Sequence, residues 1–242
     1  MKPLAAQLRV ELTLTLRNGE SLLLTLGIPV AILVFFSLVD VLPIDGDAVD
    51  FLAPGTLALA VLATAFANLA IATAFDRSYG VLKRLGATPL GRSRLVAAKA
   101  LAVLLVIALQ VVVLGIAALA LGWRPDVSPV PLVAALVLAV AAFTGLALLV
   151  AGRMRALVAL AVANAVFVVL LLLSGMVFPL AKLPSGLRSA TRALPSTALA
   201  EAARGALSDG ASVPGRVWPV LVVWAVAAIA LAVALFRWEP DD

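Results

Sequence analysis

The sequence predicts an all-α integral membrane protein. Six transmembrane helices are expected, with an N-terminal interfacial helix and a two-helix extracellular re-entrant cap between the fifth and sixth spans. Three observations carry this prediction. Of 242 residues, 64% are hydrophobic and 13% charged, whereas a soluble domain is nearer half apolar and a quarter charged. The apolar residues fall in runs long enough to cross a hydrocarbon core. The 18 Lys and Arg residues gather at the ends of those runs and in one loop. That placement follows membrane topology, so the net charge of +5 gives no reason to expect a nucleic-acid partner. The chain has no Cys and no His, which excludes thiol nucleophiles, disulfides and most zinc, haem and iron–sulfur sites.

Residues 1–20 hold Leu4, Leu8, Leu12 and Leu16 at four-residue spacing, one stripe of a helix. Leu8 to Leu16 also alternates with period two. Helix is preferred, because a lone strand at a membrane surface leaves its backbone unpaired. With Arg9, Glu11, Arg17 and Glu20 off the stripe, the helix should lie in the interface. The apolar run over about 21–40 is longer than a leader's core and no small-x-small cleavage site follows it. It reads as the first span. Asp40, Asp45, Asp47 and Asp50 follow with no basic residue among them, as expected outside.

The second span, about 52–75, is Ala-rich and carries Thr56, Thr64, Asn68 and Thr73. Residues 76–99 then hold Arg77, Lys83, Arg84, Arg92, Arg94 and Lys99, a basic island that should face the cytoplasm. The third span, about 100–122, has no ionisable residue and one strongly polar side chain, Gln110. Its Leu, Val and Ile residues give roughly −4 to −8 kcal/mol for insertion. Trp123 marks an outer interface. The fourth span covers about 130–151, and Gly152-Arg153-Met154-Arg155 makes a tight inner turn. The fifth, about 157–178, contains Asn164; the sixth, about 217–236, ends at Arg237-Trp238-Glu239.

Residues 179–216 are apolar enough to suggest another span, but Arg188, Arg192, Glu201 and Arg204 lie inside. Four charges would cost roughly 10–14 kcal/mol at mid-bilayer. Pro184 and Pro195 split the segment into two pieces, with Leu183, Leu187 and Leu194 on one face of the first and Leu199, Ala203 and Leu207 on one face of the second. Two amphipathic helices dipping into the outer leaflet are expected. Six spans place both termini on one side, and the short loops put that side in the cytoplasm. No inverted repeat is evident, so a secondary-carrier architecture gains no support.

The basic island also has internal order. Asp76-Arg77-Ser78-Tyr79-Gly80-Val81-Leu82-Lys83-Arg84-Leu85-Gly86-Ala87-Thr88-Pro89-Leu90, with Lys99 beyond, resembles the loop of ABC-2-type transporter permeases, especially the drug-resistance exporter branch. Gly175-Met176-Val177-Phe178-Pro179, Leu183-Pro184, Leu194-Pro195 and Arg204-Gly205 look like that family's fifth span and outer hairpin. Ser78 departs from it, since many members carry an acid there. The resemblance implies a permease of the bacterial cytoplasmic membrane that exports a lipophilic or amphipathic substrate (drug, lipid or peptide-like). It implies two permease copies, surrounding lipid, and a separate ABC nucleotide-binding subunit that holds ATP and Mg2+. Asp76, Arg77, Tyr79, Gly80, Leu82, Lys83, Arg84, Leu85 and Pro89 would couple to that subunit.

The residues themselves support this division of labour. A P-loop needs Gly-Lys-Ser/Thr, and none of Lys2, Lys83, Lys99 and Lys182 follows a Gly. The chain is therefore expected to bind no cofactor and not to be an enzyme by itself. The rival account of the basic loop is plain retention of cytoplasmic charge. For the substrate pathway, Thr64 and Asn68 lie four apart on the second span, and Asn164 and Phe167 three apart on the fifth. The resemblance places those two spans around the central cavity. The competing role for their polar groups is hydrogen bonding between helices. Phe178, Pro179, Pro195 and Glu201 are candidates for an outer cap or gate; Glu201 could instead pair with Arg204 along its helix. An intramembrane enzyme would want paired carboxylates or an activated Ser at membrane depth, and none is evident. A membrane partner or sensor subunit on the same scaffold is the remaining alternative.

Overall fold

The computed structural model describes residues 2–17, 19–39, 47–87, 91–180, 184–208 and 210–236. Asp40, Asp45, Pro89, Leu183 and Arg237 to Glu239, invoked above, lie outside the described residues, as do the side chains of Leu16 and Glu20. Among the described residues all regular structure is helical. In order these are α1 (Lys2–Arg17), α2 (Gly19–Leu38), α3 (Ala48–Leu62), a π-helical turn (Ala63–Asn68) and α4 (Leu69–Ser78). Then come α5 (Val81–Gly86), α6 (Gly91–Ala120), α7 (Pro129–Ala151), α8 (Ala156–Leu173), α9 (Ser185–Thr191), α10 (Pro195–Leu207) and α11 (Val217–Leu235).

Among the described residues, five helices are long and apolar enough to cross a membrane: Ala48–Ser78, Gly91–Ala120, Pro129–Ala151, Ala156–Leu173 and Val217–Leu235. They correspond to the expected second to sixth spans. The expected first span is helical, but its apolar described part, Thr25–Leu38, is shorter. The 76–99 segment is more ordered than a loop. α4 runs on to Ser78 and α6 begins at Gly91, so Asp76 and Arg77 end one helix while Arg92, Arg94 and Lys99 open another.

The long helix α3–π–α4 is the centre of the bundle. Its most apolar stretch is 78% buried, against 17% for α8. It packs on α2, α6, α7, α8 and α10. Small residues let the backbones close up. A Cβ on Gly55 would clash with the Met176 carbonyl oxygen, and one on Gly145 would lie 2.5 Å from the Ala228 carbonyl carbon. Hence α3 sits directly on the 174–177 turn, and α7 and α11 form the most extensive helix pair.

α10 differs from the amphipathic helix expected. It is buried on nearly every side: Ser196, Thr197, Ala198, Ala200, Ala202 and Ala206 are as enclosed as Leu199, Ala203 and Leu207. It packs between α3, α7 and α11. Ser128 N–H at the start of α7 donates to Ala206 C=O at 2.8 Å. The Trp224 indole N–H donates to Ala193 C=O at 2.8 Å. Alanine is small enough to admit three neighbours at once, so the alanines that made α10 read as amphipathic are what let it be surrounded. α9 stays largely exposed, with Thr191 its buried residue.

Candidate functional site

Two features at the α4–α6 end of the bundle bring the sequence-selected residues into relation. The first is a foot. Gly80 breaks the helix with φ +72°, a left-handed conformation in which any Cβ is strained. The short α5 then folds back. Leu82 is fully buried among Leu95 and Val96 of α6, Leu148 of α7, and Ala232 and Phe236 at the end of α11. Leu85 packs on the same cluster. Val81, Lys83 and Arg84 of α5 are left exposed, as are Tyr79 just before it and Arg92 and Arg94 at the start of α6. Asp76 and Arg77 point elsewhere. Arg77 is buried, and its guanidinium donates at 3.2 Å to both the Ala151 and Met154 carbonyl oxygens. It pins the turn after α7.

The second feature is a cleft of about 560 Å³ bounded by α1, α2, the π turn, α4 and α6. Thr64 and Asn68 both lie in the π turn and line it. Gln110 Nε2 donates to Thr64 Oγ1 at 2.9 Å and to Thr25 C=O at 3.2 Å, and Asn68 Nδ2 donates to Thr25 Oγ1 at 3.2 Å. At the other end Lys99 Nζ sits 3.0 Å from Glu11 and 3.7 Å from Asp76, and the Lys99 side chain is 2% exposed. Gln7 Nε2 donates to the same Glu11 carboxylate at 2.9 Å. Glu11, assigned above to the interfacial face of α1, is thus turned inward and ties α1 to α6.

Asn164 and Phe167 are not part of this cleft. Asn164 is exposed on α8 and donates to its own helix, at Leu160 C=O, 2.9 Å. Phe167 is half-buried against the core.

At the opposite end, Phe178 is exposed and Pro179 half-buried. Pro195 is buried at the first position of α10, where a missing N–H costs nothing. Glu201 pairs with Arg216 at 2.7 Å, not along its helix with Arg204. The Arg204 guanidinium instead donates to the Gly175 and Met176 carbonyl oxygens and stacks 4.2 Å from the centre of the Phe51 ring. Burial pushes its pKa down to about 10, which still leaves it charged at neutral pH. It clamps α10, α3 and the 174–177 turn together.

Sequence reasoning missed Glu11, Gln110 and Arg204 as partners. A glutamate on a short helix beside an apolar run, and a lone glutamine inside one, were the available signals. The family model for ABC-2 type transporters matches residues 4–208. A search of curated proteins finds no match.

Proposed function

Since that match covers most of its length, the chain belongs to the ABC-2 type transporter family, and we propose that it is the permease subunit of an ATP-driven exporter. It is a multi-pass membrane protein carrying this family's membrane domain. In the proposed function it moves a lipophilic or amphipathic substrate outward across a bacterial cytoplasmic membrane. ATP and Mg2+ sit on a separate nucleotide-binding subunit. α2 serves as a sixth span, both termini are cytoplasmic, and α9–α10 form the outer re-entrant cap, with Phe178, Pro179, Pro195 and Glu201 around the outer gate.

The observation that carries this reading is the foot. A helix of six residues is too short to hold itself, yet Leu82 seats it firmly and leaves Tyr79, Lys83 and Arg84 facing outward. Such a rigid basic knob suits docking of a second protein. Retention of cytoplasmic charge would ask for no buried anchor. The chain has no lysine placed for a P-loop, which supports hydrolysis on a partner.

Asn164 supports the second permease copy. A polar side chain on an otherwise apolar, exposed helix face is costly against lipid, and a copy of the same helix would cover it. Thr64 and Asn68, with Asn164 and Phe167 on the paired surfaces, are the proposed path.

The test is Lys83→Glu with Arg84→Glu. Arg77 is excluded, because its reversal would break the turn it holds. Co-purification with the ATPase subunit and vesicle transport driven by nucleotide should both be lost, with normal insertion. Survival of both would remove docking at the foot. Vesicles of the permease that move no substrate, with or without the ATPase, would favour a sensor role.

A further inference from the structure

The cleft beside α1 is chemically lopsided. Its volume of about 560 Å³ is that of a small-molecule site. Thr64, Asn68, Ala72 and Asp76 recur every four residues along one wall, a stripe about 18 Å long. One end is hydroxyl and amide, the other is ionic, and the middle is apolar. The facing wall on α6 is apolar above Lys99, with Ala102, Val103 and Val106.

At the ionic end two carboxylates share one ammonium. Lys99 is 2% exposed and Glu11 17%, while Asp76 is 40% exposed and at 3.7 Å the looser partner. The positive charge is sealed away, and a carboxylate is what a ligand meets. The triad carries one net negative charge against walls of low polarity, where Coulomb attraction is strengthened. Among the described residues, the other charged group on the lining is Arg17, the last residue of α1. It lies six residues beyond Glu11, about 9 Å further along the helix axis, and is exposed.

We propose that this cleft binds an amphiphile with a single positive head, the head against the Asp76 carboxylate and the apolar body along Ala72, Ala102, Val103 and Val106. This rests on the Thr64–Asn68 face being part of the substrate path, and it names the class of substrate.

The test uses the full chain in phosphatidylcholine nanodiscs, with empty nanodiscs as the reference for partition into lipid. Three labelled probes of equal chain length are compared: decyltrimethylammonium, decyl glucoside and decyl sulfate. Saturable binding should be strongest for the ammonium. Asp76→Asn leaves the Glu11–Lys99 pair in place, and should weaken the ammonium by about tenfold or more without changing the glucoside. Asp76→Glu should recover most of the loss, which a misfolded protein would not. Val103→Trp, which fills the cleft but leaves the triad, should abolish saturable binding of all three.

Equal binding of the three probes, tightest binding of the sulfate, or an ammonium affinity indifferent to Asp76→Asn would each overturn the proposal. Nucleotide-driven transport separates the two readings. Transport of the ammonium that ignores Asp76→Asn counts against this site and leaves the exporter standing. Asp76-dependent binding without transport supports the site and counts against the exporter.

Discussion

Replacing Lys99 with Met should release α1 from the bundle. The Glu11–Lys99 pair at 3.0 Å corresponds to about 5 kcal/mol of Coulomb energy at an effective dielectric of about 20. Asp76 at 3.7 Å is 40% exposed, so solvent screens much of its share. Met fills the lysine stem's volume but leaves Glu11 with the Gln7 amide as its hydrogen-bond donor and places two carboxylates near one another. Losing one member of a buried pair costs about 3–5 kcal/mol. Part of this is relieved here because Glu11 can turn to water once α1 lifts, so about 3 kcal/mol is the working value. That is about a hundredfold rise in the population with α1 detached. The chain has no cysteine, so Gln7→Cys, at a position 8% exposed, gives a single labelling site, and it removes the Gln7–Glu11 hydrogen bond equally from every background compared. Its maleimide labelling should be slow with Lys99, about as slow with Lys99→Arg, and tens of times faster with Lys99→Met. Equal labelling rates in the three backgrounds would refute the idea that this ion triad holds the interfacial helix.

Other substitutions test the remaining contacts. Gly80→Ala meets nothing within 4 Å, so its cost is the left-handed backbone alone, about 1–2 kcal/mol; Gly80→Asn should recover part of it, read as detergent unfolding and as ATPase coupling. Leu82→Ala should cost about 2–5 kcal/mol and expose α5 to protease at Lys83 and Arg84 while the spans stay intact. Arg204→Met removes the hydrogen bonds to the Gly175 and Met176 carbonyls and should cost about 1.5–3 kcal/mol. Arg204→Lys should recover only part, because one ammonium cannot both serve the carbonyls and lie flat on Phe51.

The expected second to sixth spans were legible because length and apolarity report directly on burial in lipid. So was the foot: Gly80 and the basic residues around Leu82 stand out against an apolar chain. What was hidden depends on contacts between distant segments. Glu11 reads as a surface charge until α6 brings Lys99 beside it. α10 reads as amphipathic because its alanines carry little hydrophobic signal, although three helices enclose them. The π turn leaves no mark in composition: Thr64 and Asn68 share a face by either count, and the widened turn that holds them packs against α6, α7 and α8. Arg204 looked like half of a local ion pair with Glu201. The clamp it forms needs the turn after α8, 28 and 29 residues upstream.

Leu82 joins the foot to three helices beyond its own, α6, α7 and α11. A push from below would therefore not bend the two flanking segments like a hinge pin. It would bear on a shared plinth, and the tightly mated α7–α11 pair would carry the load as a beam. Stroke would be traded for stiffness: small displacements at the base would arrive nearly undiminished at the far side, where α10 is wedged between those same two members and the central helix.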